Sequence, residues 1–349
     1  MHLTLIVPEL IWPEPDDEAT FTALDCPELA TLLTRSRLVR RPPQSLEATL
    51  SDAFGLPDGA PYAALRLLGE HAAADPGAST WLCSDPVHLR FHQQRLIVAD
   101  SGSFAITLDE ARALVDALNV QLAPVGRFYL AAADRWYLEL AANMALERLD
   151  GPPLSAVAGR GVQRLLPEGS ETLALRALLN EAQMLLHAHP INAQRANTGQ
   201  LPINSLWLWG AGKLPQRRDS SFDGVWSTNP LARGLAKSSG VASHPLPVDA
   251  ATLLAHTATD SRHLLLIESL LPAVQYENGK AYGEAMHSLE AHWFAPLRQA
   301  LRRGTLAGLS IEAPTAYATL AWHSERNAQW KFWQRTQPLA ELAQELAKA

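Results

Sequence analysis

Cysteine is nearly absent: Cys26 and Cys83 are the only two in 349 residues, and neither sits in a Cys-x-x-Cys or a mixed Cys/His cluster. That excludes a disulfide framework and a thiolate metal site, and it fits a reducing, cytoplasmic setting. Concentrated positive charge is missing as well. The formal net charge is −7, and basic residues gather only in small groups at residues 35–41, 217–218 and 302–303. Phosphate-backbone binding needs a denser footprint, so nucleic acid is excluded as a main partner. No apolar run approaches the roughly 20 residues that span a bilayer. The opening "MHLTLIVPELIWPEP" has neither a basic n-region nor a small-residue cleavage site. It reads as the first buried strand, and no membrane partner is expected. Gly-x-Ser-x-Gly, Walker and dinucleotide fingerprints are also absent, which removes the hydrolase elbow, the P-loop and the nicotinamide site. Nor is there a His-x-Asp-x-His, an internal repeat or a low-complexity tract.

What is present describes a globular α/β chain. Hydrophobic residues make up 47% and charged residues 19%, and the length exceeds what one core usually supports, so two domains or an inserted domain are expected. "HLTLIVPEL" reads as a strand closed by Pro8. "CPELATLLTRSR", "SLEATLSDAF" and "PYAALRLLGEHAAA" carry apolar residues at helical spacing, the first with Pro27 near its start. From residue 79 to 98 the pattern changes to short β-like runs, "TWLC", "VHLRF" and "RLIVA". A helix follows at "TLDEARALVDALN", opened by a Thr107/Glu110 capping box. "GRFYLAA" and "RWYLEL" form a hairpin pair around Ala133-Asp134, and "SETLALRALLNEAQMLLHAH" is a long helix with its own capping signal. The α/β pattern then returns: "GVWSTNPLARGLAKSSG" as strand and helix, "DAATLLAHTA" as helix, "HLLLIESL" as a buried strand, 283–303 as a long helix. Strands "GLSIEA" and "AYATLAWH" precede a last helix at 339–347. Strands alternating with helices predict a mixed or parallel sheet with ligands at the carboxyl ends of its strands.

One stretch, "HPINAQRANTGQLPINSLWLWGAGKLP" from His189, is unusual in placing two Trp and a Gly-x-Gly-Lys directly after an apolar run. Residues 203–208 read as a buried strand that Gly210-Ala211-Gly212 breaks into a loop, where backbone N–H groups could approach an anion. The alternative is a strand ending in a glycine turn with core Trp. This segment resembles the one that archaeal-type cofactor-independent phosphoglycerate mutases carry, with His-Pro, Asn, Arg, Gly, Pro, Asn and Trp-x-Trp-Gly in order. "SDPVHLRFHQQRLIVADSGSFAITLDEARALVDALN" is similar to the opening of that family's inserted domain. "DCPELATLLTRSR" and "AALRLLG" resemble its N-terminal Pro-containing and Leu-Leu-Gly helices. The branch it looks like is a divergent bacterial group labelled regulatory protein of the RpfE type. The resemblance implies an alkaline-phosphatase-like α/β fold: a three-layer core from residues 1–74 and 198–349, with an inserted α/β domain at 75–197.

In that family a Ser or Thr nucleophile and two divalent metals transfer the phosphoryl group, the metals clamping the attacking and leaving oxygens and neutralising charge. The residues required for this are missing from the matching positions. Pro8 and Glu9 replace the Asp-Gly after the first strand. The nucleophile position falls on Ala60, beside Gly59 and Pro61. After "HLLLIES" come Leu270, Leu271, Pro272, Ala273, Val274 and Gln275, with neither carboxylate nor imidazole. Beyond Thr305 there is no Asp, and His323 is the only His. The expectation is therefore no catalytic residues, no metal and no cofactor. The polar groups remaining as ligand contacts are Arg90, Asn192, Arg195, Asn204, Gly210, Gly212 and Lys213, which the resemblance places near the cleft between the domains, where a phosphorylated three-carbon acid would bind. Arg and backbone amides suit such an anion. The bland alternative has the Asn side chains capping loops and Arg195 and Lys213 solvated. A competing reading keeps activity with relocated groups: Ser51 or Thr49 as nucleophile, and Glu9, Glu268, Glu312 or His323 on metal. A third, a scaffold without a small ligand, fills the cleft with apolar side chains and Trp207 or Trp209. His88, His92, His287 and His292 read as surface residues, and His187 and His189 as favourable charges at a helix C-terminus. The C-terminal "WHSERNAQWKFWQR" reads either as a strand with Trp330 and Phe332 on one core-facing side or as a docking patch for a protein partner.

Overall fold

The apolar opening becomes β1 (His2–Ile6) in the computed structural model, which describes residues 1–57, 59–70, 75–92, 95–144, 149, 151–162, 173–330 and 333–348. After it come α1 (Glu18–Thr22), α2 (Pro27–Arg35), β2 (Arg37–Arg41) and α3 (Leu46–Ala53). The middle of the chain forms α4 (Tyr62–Gly69), β3 (Trp81–His92), β4 (Arg95–Ala99), α5 (Leu108–Gln121), β5 (Gly126–Ala132) and β6 (Arg135–Leu140). It continues with α6 (Leu154–Val157), β7 (Gly161–Val162), α7 (Leu173–Ala188), α8 (Pro190–Asn197) and β8 (Ser205–Gly212). The last part holds β9 (Gly224–Trp226), α9 (Pro230–Ser239), β10 (Ala242–His244), α10 (Ala250–Ala255), β11 (Arg262–Leu266), α11 (Leu271–Gln275) and α12 (Gly279–Leu289). A π-helical turn, Glu290–Phe294, leads into α13 (Ala295–Arg303), followed by β12 (Gly308–Pro314), β13 (Thr319–Glu325), a 3-10 turn Arg326–Trp330 and α14 (Leu339–Lys348).

These elements make two compact units, one of residues 1–49, 219–232 and 239–349, the other of residues 50–218 and 233–238. The first unit holds a seven-stranded sheet in the order β10-β9-β11-β1-β12-β13-β2. Strand β1 is parallel to both neighbours, with Leu5 opposite Leu265 on one side and Ile311 on the other. Leu3, Leu5, Ile6 and Val7 are all buried, because a central parallel strand covered on both faces needs a continuous apolar run rather than alternation. Leu32, Leu265, Phe294, Leu297, Leu301 and Trp322 join the same core, and each fully buried Leu contributes on the order of 1.5–3 kcal/mol. Strands β13 and β2 close the sheet antiparallel. The 35–41 basic group is thus partly an edge strand, whose Arg residues blunt an otherwise open pairing edge.

The second unit holds a sheet ordered β5-β6-β3-β4-β7, with β8 also paired to β3. Its core gathers Leu82, Leu114, Leu118, Phe128, Trp136, Leu178, Leu186, Leu206 and Leu208. The Thr107/Glu110 capping box is formed in full, and β5 pairs with β6 as a hairpin. The α/β class expected from the resemblance is the class observed.

Several local expectations are corrected. "TWLC" and "VHLRF" are one twelve-residue strand, β3, that carries Pro86 against Leu206 of β8. The glycines at 210 and 212 do not break into a loop: β8 continues through them to pair Gly212 with Trp81. Residues 190–197 form a helix. The run 283–303 changes geometry at 290–294, where the Ala295 N–H donates to the Glu290 carbonyl, five residues back. Pro296 explains this locally, since it has no N–H for the ordinary helical bond. Residues 326–330 form a 3-10 turn rather than a strand; Phe332 lies outside the described residues, as does the capping signal at Ser170. The domain boundaries expected at 74/75 and 197/198 both fall inside the second unit.

Candidate functional site

In open α/β sheets ligands collect beyond the carboxyl ends of the strands, which in the first unit are the ends of β9, β11, β1 and β12. Beyond β1 the Val7 N–H donates to the Glu312 carbonyl (2.8 Å), and the Glu9 N–H donates to the Pro314 carbonyl (2.9 Å). Glu9 is buried, with φ at 57°. Left-handed backbone is costly for a non-glycine residue, of order 1–3 kcal/mol, and here neighbouring strand ends hold it. On the adjacent strand the Ile267 N–H donates to the Ile6 carbonyl (3.0 Å), which sets Glu268 beside the β1 end. Asn229, after β9, joins this position to a helix. Its Oδ1 accepts the Leu231 and Ala232 N–H groups at the start of α9, and its Nδ2 donates to Glu268 Oε1 at 2.8 Å. Burial pushes the Glu268 carboxyl above the ordinary glutamate value, and the Asn229 bond pulls the other way.

The remaining groups that could bear metal are engaged elsewhere. Glu312 takes an ion pair from Arg41 Nη2 at 3.0 Å. His323 Nδ1 lies 2.9 Å from Ser310 Oγ, and burial, then Arg37 and Arg41, lower its pKa. The residues after β11 wind into α11, burying Ala273, Val274 and Gln275. The turn after β12 is closed by Thr315, whose hydroxyl donates to the Ala318 carbonyl at 2.8 Å. Among the described residues, no group of three or more His, Cys, Asp or Glu could hold a metal ion. Two divalent metals need Asp and His donors converging in one place, and Glu9 and Glu268 with two engaged side chains on other strands do not supply that. These residues do not fit a two-metal centre. Thr49 and Ser51 are both fully buried, Thr49 Oγ1 donating to the Ser45 carbonyl at 3.0 Å, so neither presents a hydroxyl to solvent. Ala60, at the nucleophile position, is also buried.

The polar residues singled out in the sequence all lie in the second unit, where three of them are structural anchors. Asn192 on α8 donates from Nδ2 to the Leu186 and Ile203 carbonyls, both at 2.7 Å, and accepts the Ile203 N–H at 2.8 Å. Arg195 is 1% exposed. Its guanidinium donates to the Leu201 carbonyl (2.9 Å), Glu110 Oε1 (2.9 Å) and the Ala105 carbonyl (2.8 Å), so it is buried and paired, not solvated. The Asn204 amide mimics a strand backbone, accepting the Leu89 N–H at 2.7 Å and donating to its carbonyl at 2.9 Å. Gly210, at φ 67°, packs on α4: a Cβ there would lie 2.9 Å from Tyr62 Cβ and 3.2 Å from Ala63 N. Arg90 and Lys213 are exposed, but at opposite ends of β3, because Gly212 pairs with Trp81 and strand rise puts Arg90 roughly 30 Å away. Lys213 rims a groove of about 1120 Å³ lined by Asp116, Asn119, Arg127 and Glu139.

The two Trp of the unusual stretch are explained by a polar network that the sequence did not reveal. Arg66 on α4 forms a bidentate pair with Asp85 on β3, at 2.7 and 3.0 Å, both side chains buried. Trp209 Nε1 donates to Asp85 Oδ2 at 2.9 Å, and the Arg66 guanidinium lies over the rings of Tyr137 (5.2 Å) and Trp209 (5.5 Å). Burial acts to discharge Arg66, but Asp85, together with Tyr137 and Cys83, outweighs it and keeps the guanidinium above its ordinary value. Arg135 clamps Glu70 at 2.7 and 3.1 Å, and the Tyr137 hydroxyl donates to Glu70 Oε1 at 2.9 Å. Trp207 Nε1 donates to the Pro152 carbonyl at 3.0 Å. The only available signal was Arg and Asp inside otherwise apolar runs.

No family model matches the chain. It is 28% identical over 186 residues to a 2,3-bisphosphoglycerate-independent phosphoglycerate mutase of Methanosarcina mazei, covering 49% of this chain and 46% of that protein. It is 29% identical over 183 residues to a probable enzyme of the same name from Geobacter sulfurreducens, covering 50% and 44%. A third such protein, from Methanothermobacter thermautotrophicus, is 32% identical over 146 residues, covering 41% and 36%. The chain thus spans less than half the length of these curated relatives. Its fold matches that of a solved Pyrococcus horikoshii protein with a TM-score of 0.57 at 14% identity, over 99% of this chain and 95% of the other. The chain is thus similar, over about half of its length, to cofactor-independent phosphoglycerate mutases.

Proposed function

We propose that this protein is a catalytically degenerate relative of cofactor-independent phosphoglycerate mutase, of the regulatory RpfE type, that binds a phosphorylated metabolite or a protein partner without transferring phosphate. The observation that carries this reading is the occupation of the strand ends in the first unit. Glu268 is bound to Asn229, Glu312 to Arg41 and His323 to Ser310, so three of the four groups that could serve as relocated metal ligands have local partners. Function lives in the site rather than in the fold, and a fold kept without its donors is that of a binding protein. For a phosphorylated metabolite, Arg90 and Lys213 are the exposed cations among the residues singled out; at opposite ends of β3 they would serve separate contacts, and Asn204 holds the framework beside Arg90.

The test is elemental analysis of the purified full chain after incubation with manganese and zinc, with phosphoglycerate mutase turnover measured on the same sample. No tightly held metal and no turnover is the expected outcome. Two metals per chain together with turnover would overturn the reading.

A further inference from the structure

In a chain of net charge −7, the first unit carries a dense cluster of guanidinium groups. A surface cleft of about 630 Å³ is lined by Arg298, Arg302 and Arg303 of α13, together with Gln299, Pro296 and Glu28 of α2. Its volume falls in the range of small-molecule sites. The spacing puts Arg298 and Arg302 on one face of the helix, four residues apart. Arg35, at the end of α2, adds a fourth cation: burial and then repulsion from Arg298 and Arg302 hold its guanidinium below the ordinary arginine value.

Part of this charge has a structural explanation. Arg302 and Arg303 occupy the last turn of α13, where cations favour the helix dipole. Arg298 donates from Nη1 to Glu28, and Arg35 donates from Nη1 to the Gln329 carbonyl at 2.7 Å. The explanation is incomplete in two respects. Three guanidinium groups line the cleft against one carboxylate, and the Nε atoms of both Arg35 and Arg298 are buried with no hydrogen-bond partner among the described residues. Buried donors are normally paired, but these two Nε atoms are enclosed, so the forks that would meet a phosphate or carboxylate oxygen are those of the exposed Arg302 and Arg303 that line the cleft. The start of α2 is already filled, since the Glu290 carboxylate accepts the Glu28 and Leu29 N–H groups at 2.6 and 3.0 Å. The anion-binding capacity of this region therefore lies in the Arg cluster and not at the helix terminus.

We propose that the cleft between α2 and α13 is a binding site for a small, multiply charged phosphate compound, held by Arg298, Arg302 and Arg303 with Arg35 behind them. Arg90 and Lys213 do not line this cleft and belong to the other unit, and the proposal stands whether or not the protein is an inactive mutase relative.

The experiment is calorimetric titration of the full chain with inorganic pyrophosphate at constant ionic strength. Wild type should show saturable one-to-one binding. The Arg302→Gln/Arg303→Gln variant, whose substitutions lie at exposed positions and should leave the far-ultraviolet spectrum unchanged, should bind at least tenfold more weakly. Glu28→Gln, which removes the competing carboxylate, should bind more tightly, and Arg90→Gln/Lys213→Gln should bind as wild type does. The proposal is overturned if wild type shows no saturation, if the Arg302/Arg303 variant keeps its affinity, or if binding disappears only with Arg90 and Lys213.

Discussion

Replacing Asp85 with asparagine tests whether the buried Arg66 pair holds the second unit together. The substitution is nearly isosteric, so it leaves packing intact and removes one charge. Arg66 then remains a cation among a neutral amide, Tyr137 and Trp209, with the only carboxylate that its fork grips gone. Breaking one side of a buried pair costs about 3–5 kcal/mol, because the stranded charge has lost its water and its partner. For a unit of this size that lowers the midpoint by about 6–20 °C. Trp209 donates its indole N–H to the same carboxylate; with ten Trp in the chain, urea unfolding followed by tryptophan fluorescence is read against the same curve for Trp209→Phe. The double variant Arg66→Met/Asp85→Leu should regain more than half of the loss, since two apolar groups leave no charge behind. A loss under about 1 kcal/mol for Asp85→Asn would refute the argument, because it would place the pair in water.

Three further outcomes follow from single contacts. The Glu268 carboxyl is pushed up by burial, so the folded chain holds its proton more tightly than the unfolded one. Stability from this group is present below the ordinary glutamate value and lost as pH rises through the raised one; Glu268→Gln, measured by urea midpoint, should match wild type in acid and exceed it at neutral pH. Glu290→Ala leaves the Glu28 and Leu29 N–H groups without their acceptor, and the lost cap should lower the first unit's stability by about 0.5–2 kcal/mol in denaturant unfolding. Gly234→Ala drives a Cβ into the Leu65 carbonyl and to 3.1 Å from Gly69 N, an overlap of backbone that should cost about 1–3 kcal/mol or more, read as a fall in thermal midpoint.

Periodicity exposed most of the fold. The continuous apolar run at β1, the Thr107/Glu110 box and the β5–β6 hairpin are local signals, and local interactions build them. What stayed hidden depends on partners distant in sequence. Strand β2 is written largely in Arg and becomes a strand because β13 offers it an edge. Gly210 and Gly212 look like a loop until β3 pairs with them, and α4 is what requires Gly210 to lack a side chain. Pro296 signals a helix start, yet the preceding π-helical turn lets the helix run through. At the candidate site the missing ligands were legible one by one, whereas the engagement of Glu268 with Asn229 and of Glu312 with Arg41 joins residues 39 and 271 positions apart.

The same distance argument bears on what the Trp-x-Trp-Gly segment means. It carries the most specific likeness to the mutases, and in this structure its side chains are used for packing. Asn192 and Arg195 tie α8 to its surroundings, Asn204 extends the pairing of β3, Trp207 and Trp209 are hydrogen-bonded in the interior, and Gly210 admits α4. In this chain the segment therefore serves the scaffold, and its likeness to the mutases does not by itself speak to chemistry. On the proposed reading the residues that would report chemistry belong to the strand ends of the first unit, where this chain has Pro8, Glu9 and the α11 segment. Sequence likeness and chemical likeness are thus separate questions for this chain, and the metal and turnover assay measures the second without reference to the first.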